Sequence, residues 1–201
     1  MSGHMSSSSE REHEHELAGV DLGDDSYTVV QSLVRNKYEA TDSAGNVVLR
    51  GKQKLLQMRE QFPFTDDEGT EVFEVNAGGI VDVAGNYVLT DAQTDEDLVI
   101  LDNDYSIMRD TWKIRDADTE AKLAEISSRG ALVTTARNVI PFGHWIPHKY
   151  EITDQDGDHV GSIEGQFSLK DTYEVVVDDA SDVPTEPVVA AAMVIDAIGN
   201  N

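Results

Sequence analysis

The sequence predicts a mainly β protein, a closed antiparallel barrel of roughly twelve strands wrapped around a short apolar helix at the C-terminus. Three observations predict it. Two sequence markers recur in the same order three times along the chain, Asp-, Gly- and Asn-rich turns separate short alternating runs, and one final segment is apolar at nearly every helical angle.

The first marker is Tyr-x-apolar-Thr-Asp, at Tyr38 to Asp42, Tyr87 to Asp91 and Tyr150 to Asp154. Its alternation suits a strand running into a turn. The second follows about twenty residues later, as Met58-Arg59-Glu60-Gln61-Phe62, Met108-Arg109-Asp110-Thr111-Trp112 and Leu169-Lys170-Asp171-Thr172-Tyr173. Further alternating runs lie between and after the markers, so each of the three units offers about four short strands. Strands joined by turns this short must be antiparallel. A flat sheet of that many strands would expose two edges, which closure removes.

A barrel of this size has a lumen wider than its own side chains fill. The plug is the stretch from Val188 to Ile198, apolar except for Asp196. A helix that is hydrophobic all round must be buried all round. Thr185, Glu186 and Pro187 supply a start signal, and Gly199 with Asn200 a stop, placing the core helix at 186–198. Its length of roughly 16 Å falls well short of the ~30 Å of a membrane crossing. No transmembrane segment is expected.

The chain carries 39 acidic and 15 basic residues, a formal net charge of -24. Such a charge opposes nucleic acid, and opposes an anionic membrane surface unless a local basic patch intervenes. The acid recurs in almost every turn, which makes it a surface property. Self-repulsion on this scale weakens a compact fold in dilute buffer and is screened at 1 M salt, where the Debye length is about 3 Å. With only seven lysines, the pattern points to a salt-loving source. The absence of cysteine excludes disulfide, thiolate-metal and cysteine-nucleophile chemistry and accords with a cytoplasmic location.

Residues 1–25 contain a serine run and then Glu10 to Glu16, without the apolar core of a signal peptide. They read as a disordered acidic tail ahead of one domain at 26–201. His13 and His15 alternate with glutamates there, but ordering a flexible tail costs too much chain entropy to make a metal site.

The three units and the terminal helix resemble the LURP-one-related proteins, relatives of the tubby C-terminal domain and of the phospholipid scramblases. The stretch Gly51-Lys52-Gln53-Lys54-Leu55-Leu56-Gln57-Met58-Arg59 is similar to that family's best-marked strand and turn. Glu71 to Val75 resembles the strand that follows, and Ala192 to Ile198 its central helix. The resemblance covers Tyr27 to Asn201 and implies a twelve-stranded tubby-like barrel around a hydrophobic helix. The family has no agreed catalytic residues. Its tubby-like relatives bind phosphoinositide headgroups, and its plant members are associated with defence responses. The acid excess sets this chain apart as one of halophilic archaeal type, and the apolar insertion Ala131 to Pro147 departs from the simplest family pattern.

Two stretches stand out as candidate sites. From Arg35 to Arg59 there are six basic residues against Glu39 and Asp42. Arg50, Lys52 and Lys54 share one face of a strand because side chains alternate with period two. With Arg59 they would hold an anionic ligand such as a lipid headgroup or phosphate. Neutralisation of neighbouring carboxylates competes with that account and is favoured in concentrated salt, where a screened patch gains little. The second stretch is the loop 138–148, with Phe142, His144, Trp145 and His148. Packing over a barrel end competes there with a partner surface or a membrane-touching loop. Pro147 blocks the helical geometry a zinc pair of His144 and His148 would need.

Asp154-Gln155-Asp156-Gly157-Asp158 superficially resembles a calcium loop, yet His159 and Gly165 stand where an EF-hand needs glycine and glutamate, so a hairpin turn is expected. No phosphate-binding glycine loop, nucleophile elbow or zinc-protease motif occurs, and no cofactor or metal is expected. The sequence therefore points first to a non-catalytic binding or scaffold domain contacting an anionic ligand or lipid headgroup. The alternative is a protein–protein interaction module using the loop 138–148, and an enzyme comes third.

Overall fold

The computed structural model describes residues 17–20, 22–32, 37–52, 54–56, 59–77, 86–105, 110–128, 149–166, 172–178 and 181–199. The chain begins with β1 (Ser26–Ser32), β2 (Lys37–Thr41), β3 (Val47–Lys52), β4 (Lys54–Leu56), β5 (Arg59–Thr65) and β6 (Glu71–Ala77). Next come β7 (Asn86–Asp91), β8 (Asp97–Tyr105), β9 (Asp110–Asp116) and β10 (Lys122–Ser128). It finishes with β11 (Lys149–Asp154), β12 (His159–Gln166), β13 (Thr172–Val177) and the helix α1 (Thr185–Gly199).

Apart from β3 and β4, sequential neighbours pair antiparallel, and β1 pairs with both β2 and β13. β3 and β4 meet β5 in one unbroken register. Arg50↔Thr65 and Gly51↔Phe64 on β3 run on without a shift into Lys54↔Gln61 and Leu56↔Arg59 on β4. The two segments are therefore one strand, and the sheet is a closed antiparallel barrel of twelve strands. The first markers occupy β2, β7 and β11. β1, for which neither marker is a signal, fills the gap between β13 and β2 and closes the ring.

Alternation decides what faces inward. In-register neighbours carry one buried row around the barrel: Phe62 beside Val75, Val75 beside Leu89, and Leu89 beside Val99. Phe64 stacks on Phe73 at 4.4 Å between ring centroids. Tyr87 lies between Phe62 and Trp112, at 6.4 Å and 6.0 Å. These residues leave a space along the axis, and α1 occupies it. Val188 through Ile195 are each at most 7% exposed, and eight residues exceed two helical turns, so every face of the helix is covered. Burying a Val, Ile or Met side chain of this kind stabilises the fold by about 1.5 to 3 kcal/mol. Glu186 sits in the first helical turn, where the macrodipole favours negative charge. Pro187 follows at a place where a missing N–H costs no hydrogen bond.

The described hairpins all start with aspartate. In the turns at Asp42, Asp66 and Asp154 the aspartate N–H donates to the carbonyl four residues on, and a glycine at positive φ closes the loop. This is the type I turn followed by a left-handed residue that joins antiparallel strands of normal twist. The turns at Asp91 and Asp116 are one residue longer and place Asp95 and Glu120 at positive φ instead. In each turn the aspartate carboxylate also accepts backbone N–H groups of its own loop, for example Asn46 on Asp42 at 2.7 Å and Thr70 on Asp66 at 2.8 Å. A register shift accompanies each hairpin. Such bulges bend the strands and increase twist, which helps a sheet close.

The expected boundary at residue 26 requires correction. Leu17 and Leu22 are buried in the core, and the segment around them crosses the hairpin end of the barrel. Ala18 N–H donates to Asp91 Oδ2 at 2.7 Å, and Leu22 N–H to Glu186 Oε1 at 3.2 Å. Asp24 accepts from the Ser43 backbone and hydroxyl. The acidic composition of 1–25 suggests disorder, but two leucines and two buried carboxylate acceptors are enough to dock its last part. Residues 1–16, with His13 and His15, lie outside the described residues.

Candidate functional site at the outer face of β2 to β5

Gly51 faces the lumen between Phe64 and Met193, so Arg50 and Lys52 on either side of it face outward. The same alternation and unbroken register place Lys54 and Arg59 at outer-face positions of the β4 and β5 ladder. Of the four basic residues expected from the sequence, Arg50 and Lys52 thus share the outer face of β3, and Lys54 and Arg59 continue its register with β5. The side chains of Lys54 and Arg59 lie outside what the structure describes.

Arg50 is engaged within the fold. Its Nε donates to Glu39 Oε1 at 3.3 Å, and its Nη1 to the carbonyls of Asp66 and Asp67 at 3.3 Å and 2.7 Å. Glu39 is its in-register neighbour on β2. The guanidinium therefore ties the β5–β6 turn to β2 through its Nε and Nη1.

One rung along, the pattern changes. Lys37 on β2 stands directly opposite Lys52 on β3, and both are exposed. Among the described residues neither has a carboxylate partner. Two other basic residues show what a matched charge looks like here. Lys149 meets Glu164 across β11 and β12 at 3.1 Å. Arg115 meets Asp102 at 3.2 Å and Glu120 at 3.6 Å. Like charges directly opposite on neighbouring strands destabilise a sheet, and Lys37 and Lys52 are such a pair. Spacing along β3 indicates Lys52 but gives no hint of Lys37, because the pairing register is a tertiary fact.

The loop residues Phe142, His144, Trp145 and His148 lie outside the described residues. Among the described residues no group of three or more His, Asp or Glu is placed to hold a metal ion, and no helix is long and apolar enough to cross a membrane. The run 154–158 is a hairpin turn, with Asp154 N–H donating to the Asp158 carbonyl at 3.0 Å.

The LURP-one-related family model matches residues 47–196, from β3 through most of α1, roughly three quarters of the chain. This chain belongs to the LURP-one-related family. Lys52 lies inside the matched stretch of this LURP-one-related chain, while β1 and β2, with Lys37, precede it. No curated protein matches the chain. The X-ray structure of an Arabidopsis thaliana protein is similar in fold, with a TM-score of 0.55 at 10% identity, covering 87% of this chain and 91% of that one. At that identity the likeness extends to the fold alone.

Proposed function

We propose that this LURP-one-related chain is a non-catalytic binding or scaffold domain that holds an anionic group, a phosphate or lipid headgroup, on the outer face around Lys37 and Lys52. The observation that carries the reading is the rung of two facing lysines, which have no carboxylate partner among the described residues. Two ammonium groups facing each other gain most when an anion lies between them and accepts from both. The helix fills the lumen, so binding falls to the outside of the barrel. Arg50, on the same face of β3, holds the β5–β6 turn beside the rung. Headgroup binding by tubby-like relatives is the reason for preferring a lipid. We place the protein in the cytoplasm of a salt-rich cell, on its lack of cysteine and its acidic surface.

Vesicle flotation tests this reading. At molar salt the wild-type chain should float with phosphatidylcholine vesicles only when phosphatidylglycerol is added, and Lys37→Ala/Lys52→Ala should remain at the bottom. Equal flotation with neutral and anionic vesicles, or none with either, removes the headgroup reading.

A further inference from the structure

Lys37 and Lys52 belong to a longer row. Across β1, β2 and β3 the register runs from Ser32 to Lys37 to Lys52, and all three residues are exposed. Gln31 turns toward the lumen, where its Nε2 donates to the hydroxyl of the buried Tyr38 at 2.8 Å. Ser32, next along the strand, therefore stands on the outer face with the lysines. Three neighbouring strands span about 10 Å, so one hydroxyl and two ammonium groups come within reach of a single small ligand.

The neighbouring rung on the same face is Val30, Glu39 and Arg50. It carries a carboxylate two residues from Lys37, and Arg50 Nε donates to that carboxylate at 3.3 Å. This pairing offsets the negative charge that an anion seated on the row of Ser32, Lys37 and Lys52 would otherwise meet beside it.

In a salt-rich cell, charge alone selects poorly. At 1 M salt the Debye length is about 3 Å, so only groups in contact with the ligand count, and chloride competes for them. An ammonium is a point charge with rotatable donors, so two of them tell chloride from an oxyanion by little besides charge. A hydroxyl on a short side chain has one hydrogen to donate, and that bond weakens steeply as it bends. It favours a ligand that presents one oxygen to β1 while others meet Lys37 and Lys52, which a tetrahedral oxyanion does and a spherical ion does not. We infer that Ser32 is the third donor of this anion site and that its hydroxyl selects a phosphate group over chloride. This rests on the anion-binding reading and adds a specificity-determining residue to it.

Calorimetry of the full chain with pyrophosphate in about 1 M potassium chloride tests this, and the same variants are read by flotation on vesicles containing phosphatidylglycerol. Ser32→Ala should weaken binding about tenfold. Ser32→Thr, which keeps a hydroxyl, should bind like the wild type, and Lys37→Ala/Lys52→Ala should not bind. Replacing chloride by gluconate at equal ionic strength should strengthen pyrophosphate binding by the same factor in the wild type and in Ser32→Ala, because the hydroxyl adds nothing to chloride. A smaller gain in Ser32→Ala would mean that Ser32 holds chloride as well, and overturns the selection. Ser32→Ala binding as tightly as the wild type, or Ser32→Thr as weakly as Ser32→Ala, overturns the role of the hydroxyl and leaves the lysine reading standing. If pyrophosphate binds with the expected loss in Ser32→Ala but vesicles do not, the ligand is a soluble phosphate, so the inference stands and the headgroup preference falls. Absence of binding to either probe overturns both.

Discussion

Met193 of α1 lies against Gly51 of β3. A Cβ built at position 51 would stand 3.3 Å from Met193 Cε and 2.8 Å from Phe64 Cε1. The contact joins the helix to the strand that bears Lys52 on its other face, so what fills the lumen also sets the geometry outside.

Gly51→Val should overpack this contact and destabilise the fold by about 1 to 3 kcal/mol. Met193→Ala should itself cost about 2 to 5 kcal/mol by leaving a cavity. Together they should cost less than the sum of the two, because the cavity receives the added methyls. Urea denaturation of the four proteins in a double-mutant cycle measures the coupling. Strict additivity would mean that the two side chains do not meet.

Asp91 is 2% exposed and accepts N–H groups from Ala18, Gln93 and Thr94. Asp91→Ala leaves these donors without an acceptor and should cost about 2 to 3 kcal/mol. The amide of Ala18 should then exchange with deuterium much faster than in the wild type, since the segment ahead of β1 loses its anchor. Unchanged protection at Ala18 would contradict the docking of that segment.

The two turn classes call for opposite responses to glycine. Gly157 has φ +90° and open space within 4 Å of where a Cβ would stand, so Gly157→Ala suffers only backbone strain and should destabilise by about 1 kcal/mol. Asp95 occupies φ 61° with a side chain that prefers another region, and Asp95→Gly should be neutral or stabilise slightly. Thermal midpoints of the two variants check this, with a clear drop expected for the first and none for the second.

Asp42 should titrate below the usual carboxylate range, chiefly because the Asn46 side-chain amide donates to its Oδ2 at 2.8 Å, helped by the Asn46 backbone. A depressed folded-state pKa means that this group's contribution is present above its unfolded pKa and is lost as pH falls through the folded one. Asn46→Ala should move the Asp42 midpoint upward in a carboxyl-carbon NMR titration, and an unmoved midpoint would assign the depression elsewhere.

Salt should stabilise the protein. Screening the mutual repulsion of a chain with net charge -24 removes a cost that acts on the compact state. The urea midpoint should rise steadily between 0.1 M and about 2 M potassium chloride. A flat response would show that the acidic turns are already balanced by local hydrogen bonds such as those on Asp42 and Asp91.

Much of the architecture is legible in the sequence because it depends on local pattern. Alternation around Tyr38, Tyr87 and Tyr150 marks β2, β7 and β11, and the apolar run from Val188 marks the helix within a residue or two of its observed ends. β1 is harder to read, since it carries neither marker and its place between β13 and β2 is set by closure, which no local window reports. The acidic composition around Leu17 and Leu22 hides their docking. At the candidate site, period-two spacing places Arg50 and Lys52 on a common face. It cannot show that Arg50 is tied to Glu39 and to the turn carbonyls, or that Lys37 faces Lys52, because both depend on which strands become neighbours.

Hydrogen exchange of the α1 amides followed by mass spectrometry under native conditions probes the enclosed helix most directly. Peptides covering Val188 to Ile195 should exchange only through global unfolding, with a protection free energy equal to that from urea denaturation. Rapid exchange of those peptides in a molecule whose strands stay protected would place the helix outside the barrel.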